Sequence, residues 1–285
     1  MCRFVAYKGR EILMSDLLLK SSQSLIRQSY SAREREEPLN GDGFGVGWYA
    51  HDIDAIPGLF TSVRPAWGNR NLARLAAKIR STCLFAHVRA ATPGLIINEL
   101  NCHPFQHNNF LWMHNGRVSG FRRMKRYIRQ QISDEYYDNI NGTTDSEHAF
   151  ALFLSLLNGR SKDYDINDLA KALGETIHKL EQWASEHEIE EPSDFNFAVT
   201  DGHSLLATRY SSGNKARPES LYVANGNRLE IHDGQFRMDP VTDDPEAVIV
   251  ASEPLTEQRE DWELVPGNHI VTISPEMHVR IEPLQ

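Results

Sequence analysis

Short apolar strands dominate the last third of this chain, and their order limits the architectures open to it. These segments read FNFAVTDG, SLLATRY, LYVANG, RLEIHDGQFRM with an Asp-Gly turn, AVIVAS, HIVTIS and HVRIEPL, between residues 195 and 284. No run of strands alternating regularly with helices, as in a doubly wound parallel sheet, is present there. The pattern predicts antiparallel sheets whose outer faces are covered by helices, an α+β layered architecture.

The first half supplies the remaining strands and the covering helices. Strands are predicted at CRFVAY, GFGVGWYA, TCLFAHVRA and NFLWMHNG, and helices at SDLLLKSSQSLIRQ, NLARLAAKI and FRRMKRYIRQQI. A further helix begins in TTDSEHAFALFLSLL, where Thr144 as N-cap and Glu147 form a capping box. The last predicted helix, from about 166 to 186, is apolar on one face. No repeat or linker interrupts the chain, so we expect one domain over residues 1–285.

Composition excludes several classes of protein. The net charge is −9 over 285 residues, which argues against a nucleic-acid or anionic-membrane surface, because such partners require a basic footprint. No apolar stretch has the length of a membrane span. The amino terminus has no signal-peptide pattern, and three cysteines without paired spacing suit a reducing compartment. We therefore expect a cytoplasmic protein.

Two other motifs invite a ligand-binding interpretation. The run NGDGFGVGW does not match a dinucleotide or phosphate loop, and its alternating glycines predict a close backbone approach within a strand. Histidines gather at His103, His107 and His114, with Asp145 and His148 further on, so a zinc hydrolase remains a minor alternative. The spacing fits no established zinc motif, and we expect neither metal nor cofactor.

Cys2 is the residue with the strongest chemical signal. Removal of Met1 would leave one residue that carries both a thiol and a free α-amine. The amine has a reference pKa of about 7.7 to 8.0, so it can accept the thiol's proton near neutral pH. This pairing is the logic of an N-terminal nucleophile hydrolase.

Other residues supply the groups that such a nucleophile requires. Asn115 and Gly116 in MHNG are candidate oxyanion donors at a strand end. Arg89 in AHVRAATPG suits a carboxylate, with Thr92 close behind in the bend. Asp145 lies in the first turn of a helix and suits a cation. Together they describe a pocket for a glutamyl group.

In this order, Cys2, HVRAAT, NCHPF, MHNG and TDSE resemble the class II glutamine amidotransferases. The resemblance runs over nearly the whole chain and is strongest to the stand-alone YafJ-type branch, in particular to the amidotransferase-like subunit of the glutathione-degrading Dug complex. It implies the four-layer αββα sandwich of N-terminal nucleophile hydrolases. It also implies that Cys2 attacks the γ-carbonyl, that Asn115 and Gly116 form the oxyanion hole, and that Arg89, Thr92 and Asp145 hold the substrate. His103 would have a supporting, structural role.

Three functions follow from the resemblance. The first is an amidohydrolase that cleaves the γ-glutamyl amide of glutamine or of a γ-glutamyl peptide such as glutathione, beside a peptidase-like partner subunit. The second is a glutaminase subunit that supplies ammonia to a separate synthase. The third is a catalytically silent glutamyl-binding protein, against which the intact set of site residues argues. Arg117, directly after HNG, departs from the small residue typical of this subunit and could alter the leaving-group side.

Overall fold

The computed structural model describes residues 2–34, 39–90, 97–159, 163–213, 218–227, 229–232, 235–238 and 245–284. Its strands are, in chain order, β1 (Arg3–Leu13), β2 (Phe44–Trp48), β3 (Gly58–Ser62), β4 (Arg80–Val88), β5 (Phe105–His107), β6 (Phe110–Arg117), β7 (Asp194–Thr200), β8 (Leu205–Arg209), β9 (Tyr222–Gly226), β10 (Leu229–His232), β11 (Gln235–Met238), β12 (Ala247–Ala251), β13 (Glu263–Leu264), β14 (His269–Ile273) and β15 (Val279–Pro283). Its α-helices are α1 (Leu25–Ser31), α2 (Arg70–Ala76), α3 (Phe121–Gln131), α4 (Asp134–Tyr137), α5 (Asp145–Asn158) and α6 (Ile166–Glu186), and a π-helical turn spans Asp16–Lys20.

Two large sheets form the centre of the fold. In the first, the strands lie in the order β13-β9-β12-β1-β4-β2-β3, and in the second the order is β15-β14-β8-β7-β6-β5. Every strand pair is antiparallel. Strands β10 and β11 form a separate hairpin.

The alternation of side chains along the strands divides the core into layers. Phe4 and Ala6 of β1 pack with Leu111 and Met113 of β6 in the space between the sheets. On the outer side of the second sheet, the buried Trp112 ring lies 5.5 Å from a phenylalanine ring of α5. Helix α1 and the π-helical turn cover the first sheet. The layers therefore follow the predicted αββα order.

Close approach of the two sheets explains the alternating glycines of β2. A Cβ at Gly45 would collide with the carbonyl oxygen of His103, and one at Gly47 would lie 2.6 Å from a methyl group of Leu111. Any side chain at these positions would push the second sheet away. The predicted close backbone approach is confirmed, and the neighbour is the protein itself.

The predicted N-terminus of α5 is confirmed in part. Thr144 caps α5 by accepting from the Glu147 backbone N–H at 3.2 Å. The Glu147 carboxylate does not return to Thr144, because it accepts instead from the backbone N–H groups of Asn141 and Gly142. The complete capping box belongs to α6, between Asp165 and Asp168. Within the described residues, no helix is both long enough and apolar enough to cross a membrane.

Candidate active site

Cys2 lies immediately before β1, an interior strand of the first sheet, and so at one end of the sandwich. Arg3 pairs with Val88 of β4, so the chain beyond Val88 runs beside Cys2. The Cys2 Sγ accepts from the Ala90 backbone N–H at 3.4 Å and lies 3.6 Å from the Ala90 carbonyl oxygen. Phe4 and Ala6 face the second sheet, and the alternation places Cys2 on that same face. The thiol is half-buried there.

Arg3 fixes the position of Cys2 from behind. Its side chain is fully buried, and Nη1 donates to the Cys2 carbonyl oxygen at 2.9 Å. Nε donates to Glu253 at 2.7 Å and Nη1 also contacts Glu219 at 3.2 Å. Two carboxylates thus neutralise a charge that would be very costly to bury alone. The result is a rigid attachment for the residue that carries the thiol.

Arg89 follows β4 and belongs to the same inter-sheet face as Cys83, Phe85 and His87. It is 3% exposed, its backbone N–H donates to Gly43 O at 2.8 Å, and its Nη1 lies 3.5 Å from Asp42 O. Among the described residues no carboxylate contacts this guanidinium, so its remaining N–H groups can donate to the carboxylate of a substrate. Thr92, the predicted assistant of Arg89, lies outside the described residues.

Asn115 and Gly116 end β6 on the opposite sheet. Asn115 is fully buried, and among the described residues neither atom of its side-chain amide has a hydrogen-bond partner. An unsatisfied buried amide costs about 1–3 kcal/mol, so the fold holds this donor at an energetic cost. Gly116 has φ +154°, and a Cβ there would collide with the Asp194 carbonyl oxygen. The site therefore requires glycine at 116.

Asp145 opens α5 beside the end of β6. Its Oδ2 accepts from the Val118 backbone N–H at 2.7 Å, and its Oδ1 accepts from the Ser146 backbone N–H at 2.9 Å. These two bonds fix the carboxylate plane at the positive end of the helix. Oδ1 also accepts from the Ser146 hydroxyl at 3.3 Å, so the remaining lone-pair capacity for a cation lies mainly on Oδ2. Asp145 can thus bind an ammonium group without rearranging.

These residues lie at the same end of the sandwich. The start of β1 and the end of β4 lie side by side, and the His87 ring of β4 donates to the His114 carbonyl oxygen at 3.2 Å, directly before Asn115. Alternation from Leu111 and Met113 places Asn115 on the face toward the first sheet. Cys2, Arg89 and Asn115 therefore border one space between the sheets, and Asp145 lies at the end of β6.

Two buried histidines, His87 and His103, lie near this end of the sandwich, and their stacking was not predicted. The His87 and His103 rings stack with centroids 4.2 Å apart, and His103 also meets Phe105 edge-on. Burial lowers the pKa of His87 to about 3 and moves that of His103 well below its usual range. Both rings are neutral near pH 7. The HVRA and NCHPF motifs contained both residues, but sequence alone does not show that they stack.

The other histidines do not form a metal centre with them. His114 points to the outer side of its sheet, where Nδ1 lies 2.8 Å from the Ser146 hydroxyl, and His107 stacks edge-on with Tyr136. Across the described ranges, no group of three potential ligands could hold a metal ion. Arg117 is exposed at the end of β6 and lies opposite Asp194. Burial raises the pKa of Asp194, and the charge of Arg117 partly opposes this rise.

The sequence of this chain is similar to a known protein family and to individual proteins of known name. The family model for glutamine amidotransferases class-II matches residues 14–282. The chain is 41% identical over 292 residues to the probable glutamine amidotransferase DUG3 of Saccharomyces cerevisiae, covering 96% of this chain and 82% of the yeast protein. It is 29% identical to the gamma-glutamyl-hercynylcysteine sulfoxide hydrolase of Mycolicibacterium smegmatis over the full length of both.

A solved structure supports the architecture. A glutamine aminotransferase class-II domain protein from Silicibacter pomeroyi superposes with a TM-score of 0.66 at 28% sequence identity, and the match covers 100% of both chains. The two-sheet sandwich is therefore a fold already seen in a related protein.

Proposed function

Since this chain belongs to the class II glutamine amidotransferases, we propose that it hydrolyses the γ-glutamyl amide bond of glutamine or of a γ-glutamyl peptide such as glutathione. The observation that carries the proposal is that Cys2 and the fully buried Asn115 lie on the inter-sheet faces of the two sheets, and that the Asn115 amide has no hydrogen-bond partner among the described residues. A nucleophile and a desolvated hydrogen-bond donor on facing walls are what an acyl-transfer site requires.

The proposed reaction proceeds in two steps once Met1 has been removed. The Cys2 α-amine accepts the thiol proton, and Sγ attacks the γ-carbonyl carbon to form a tetrahedral intermediate. The Asn115 amide and the Gly116 N–H stabilise its oxyanion, the C–N bond breaks, and the leaving amine takes the proton. Water then attacks the γ-glutamyl thioester, which releases glutamate and restores the thiol.

Binding of the glutamyl group is assigned to two charged residues. Arg89 would hold the α-carboxylate, because its guanidinium is buried without a carboxylate partner among the described residues. Asp145 would hold the α-ammonium from the amino end of α5. Thr92 would assist Arg89. Opposite charges at the two anchors would select an α-amino acid end over a simple amide.

The name of one relative supports hydrolysis of a γ-glutamyl compound over ammonia delivery. The mycobacterial relative is named as a hydrolase of a γ-glutamyl compound, and it matches this chain end to end. We propose that residues 1–285 form one catalytic domain, in keeping with the pairing of β1 and β12 from the two ends of the chain. A peptidase-like partner subunit would process the remaining peptide, and the free thiols fit a cytoplasmic location.

Glutamate release from glutamine and from glutathione, measured side by side, tests the proposal. The protein should first be shown by mass spectrometry to begin at Cys2. Release from glutathione supports the peptide hydrolase, and release from glutamine alone would instead favour the ammonia-supplying subunit. Binding without release from either would identify a silent glutamyl-binding protein.

Two cysteine variants separate the mechanism from general thiol effects. Cys2→Ala should abolish glutamate release. Cys83→Ala removes a fully buried thiol from the face of β4 that points toward the second sheet, and this variant should retain activity. Circular dichroism should show folded protein in both cases. Substantial activity in Cys2→Ala would exclude the thioester mechanism.

A further inference from the structure

A basic groove lies along the outer side of α3. It encloses about 530 Å³ and is lined by Arg122, Lys125, Arg126, Arg129, Gln130 and Tyr137. Helical spacing explains the arrangement, because Met124 and Ile128 are buried against the core while the cations at spacings of three and four face outward. Four positive charges therefore share one stripe of a short helix.

This stripe is unfavourable for the isolated protein. Like charges three and four residues apart on a helix repel one another by about 0.2–0.5 kcal/mol per pair. Partial burial lowers the pKa of Lys125, and the neighbouring Arg129 charge lowers it further. Elsewhere on the described surface cations do find acids, as in the Lys20–Asp16 and Arg33–Glu257 pairs. None of the described residues that line the groove carries a carboxylate, although the whole chain is acidic, and Glu147 of α5, outside this lining, raises the pKa of Lys125 only against the stronger effect of burial.

The aromatic residue in the groove indicates a protein ligand. The Arg129 guanidinium lies 5.6 Å from the centre of the Tyr137 ring. Tyr137 is 43% exposed. Arginine and tyrosine together are the residues enriched at energetically important protein–protein contacts. Nucleic acid is disfavoured, because the net charge of −9 would repel a polyanion beyond this one helix.

Arg129 also connects the groove to the helix that carries Asp145. Its Nε donates to His148 Nε2 at 2.9 Å, and His148 Nδ1 donates to the Thr144 carbonyl oxygen at 2.7 Å. Thr144 is the N-cap of α5, directly before Asp145. A ligand in the groove would thus contact the same arginine that supports the first turn of that helix.

We propose that this groove docks an acidic segment of a partner protein. Charge complementarity carries the assignment, since four cations without an acidic partner in the groove match a run of carboxylates. The lining arginines present planar forks that bind carboxylates in two-point contacts. The proposal concerns binding alone, so it stands or fails independently of the hydrolytic activity.

The test uses a fluorescein-labelled oligo-glutamate peptide, with an oligo-glutamine peptide as the uncharged comparison, followed by fluorescence anisotropy. The variant Arg122→Glu with Arg126→Glu reverses two exposed charges of the groove. Arg74→Glu with Lys78→Glu reverses two exposed charges, one in α2 and one just after it, and serves as the matched control. Neither pair touches the proposed catalytic residues, so both double variants should keep their glutaminase activity.

We expect the acidic peptide to bind the unmodified protein with strong salt dependence. The groove variant should weaken this binding on the order of tenfold or more, while the α2 variant should change it little. Equal loss in both variants would show non-specific charge attraction and overturn the proposal. Complete displacement of the oligo-glutamate peptide by inorganic phosphate at the same total negative charge would identify a small-anion site instead. Absence of peptide binding to the unmodified protein would also refute the proposal.

Discussion

Replacement of Asp145 by Asn tests the ammonium anchor most directly. Asn keeps the size of the side chain and one acceptor oxygen, but it removes the negative charge. A hydrogen-bonded contact between charged groups contributes about 1.5–3 kcal/mol. Since 1.4 kcal/mol corresponds to a factor of ten, KM for glutamine should rise by about 10-fold to 150-fold. The value of kcat should change less, because Asp145 does not touch the scissile bond.

The same replacement has a smaller and separate effect on stability. Asp145 now accepts from both Val118 and Ser146, and the Asn amide NH2 would face one of these donors. Loss of one hydrogen bond and of the helix-terminus charge costs about 1–2.5 kcal/mol in total. For a chain of this size each kcal/mol lowers Tm by about 2–4 °C. Kinetics should therefore be measured well below the reduced Tm.

A second aspartate provides the control. Asp168 lies in the first turn of α6 and accepts from the Asp165 backbone N–H at 3.2 Å. Asp168→Asn makes the same chemical change at a similar helix position, so it should lower Tm comparably and leave KM unchanged. Steady-state glutamate release gives both constants. An unchanged KM in Asp145→Asn, or an equal rise in Asp168→Asn, would remove Asp145 from the glutamyl pocket.

Three further outcomes are expected. Asn115→Ala should lower kcat by about 10²–10³ with little change in KM or Tm, because its amide has no hydrogen-bond partner among the described residues. A normal kcat in steady-state assays would contradict this. Glu253→Gln should cost about 3–5 kcal/mol by leaving buried Arg3 undercompensated, whereas the exposed Glu257→Gln should cost less than about 1 kcal/mol, as thermal unfolding would show. NMR should show that the His87 ring stays neutral down to about pH 4. The free energy of unfolding should fall as pH drops below about 6.5, because the unfolded chain then binds a proton that the folded protein excludes. Titration of His87 near pH 6.5 would refute its burial.

Patterns of apolar residues predicted most of the architecture. Helix α6 has the expected bounds, and its apolar positions Leu169, Leu173 and Ile177 are buried as expected. Strand β3 was not predicted, because Gly58–Ser62 has no clear alternation and its extended form depends on pairing with β2. The first predicted helix is divided into a π-helical turn and α1, since the segment between them is not helical. Contacts with distant residues accompany both cases: β3 pairs with β2, and in the interrupted helix the Gln23 backbone N–H donates to Leu255 O at 3.2 Å.

The site was predictable as a set of residue types but not as a set of contacts. Cys2, Asn115 and Asp145 follow from chemistry and from resemblance, and their roles remain predictions. Arg3 has no signal in the sequence that would reveal it as the buried support of Cys2, because its partners lie more than 200 residues away. Likewise, nothing local shows that His87 and His103 stack. Such contacts depend on how distant strands are placed side by side.

The pairing of β1 with both β4 and β12 has a consequence for how the protein is made. Val5 lies opposite Ala251, and Arg3 depends on Glu253, so the first strand can take its final place only after nearly all of the chain has been synthesised. Closing so long a loop is slow, because its entropy must be lost before the contacts form. Until then the amino terminus has not entered the folded sheet, and the removal of Met1 that the proposed mechanism requires can take place. Maturation of the thiol can therefore precede assembly of the pocket that would use it.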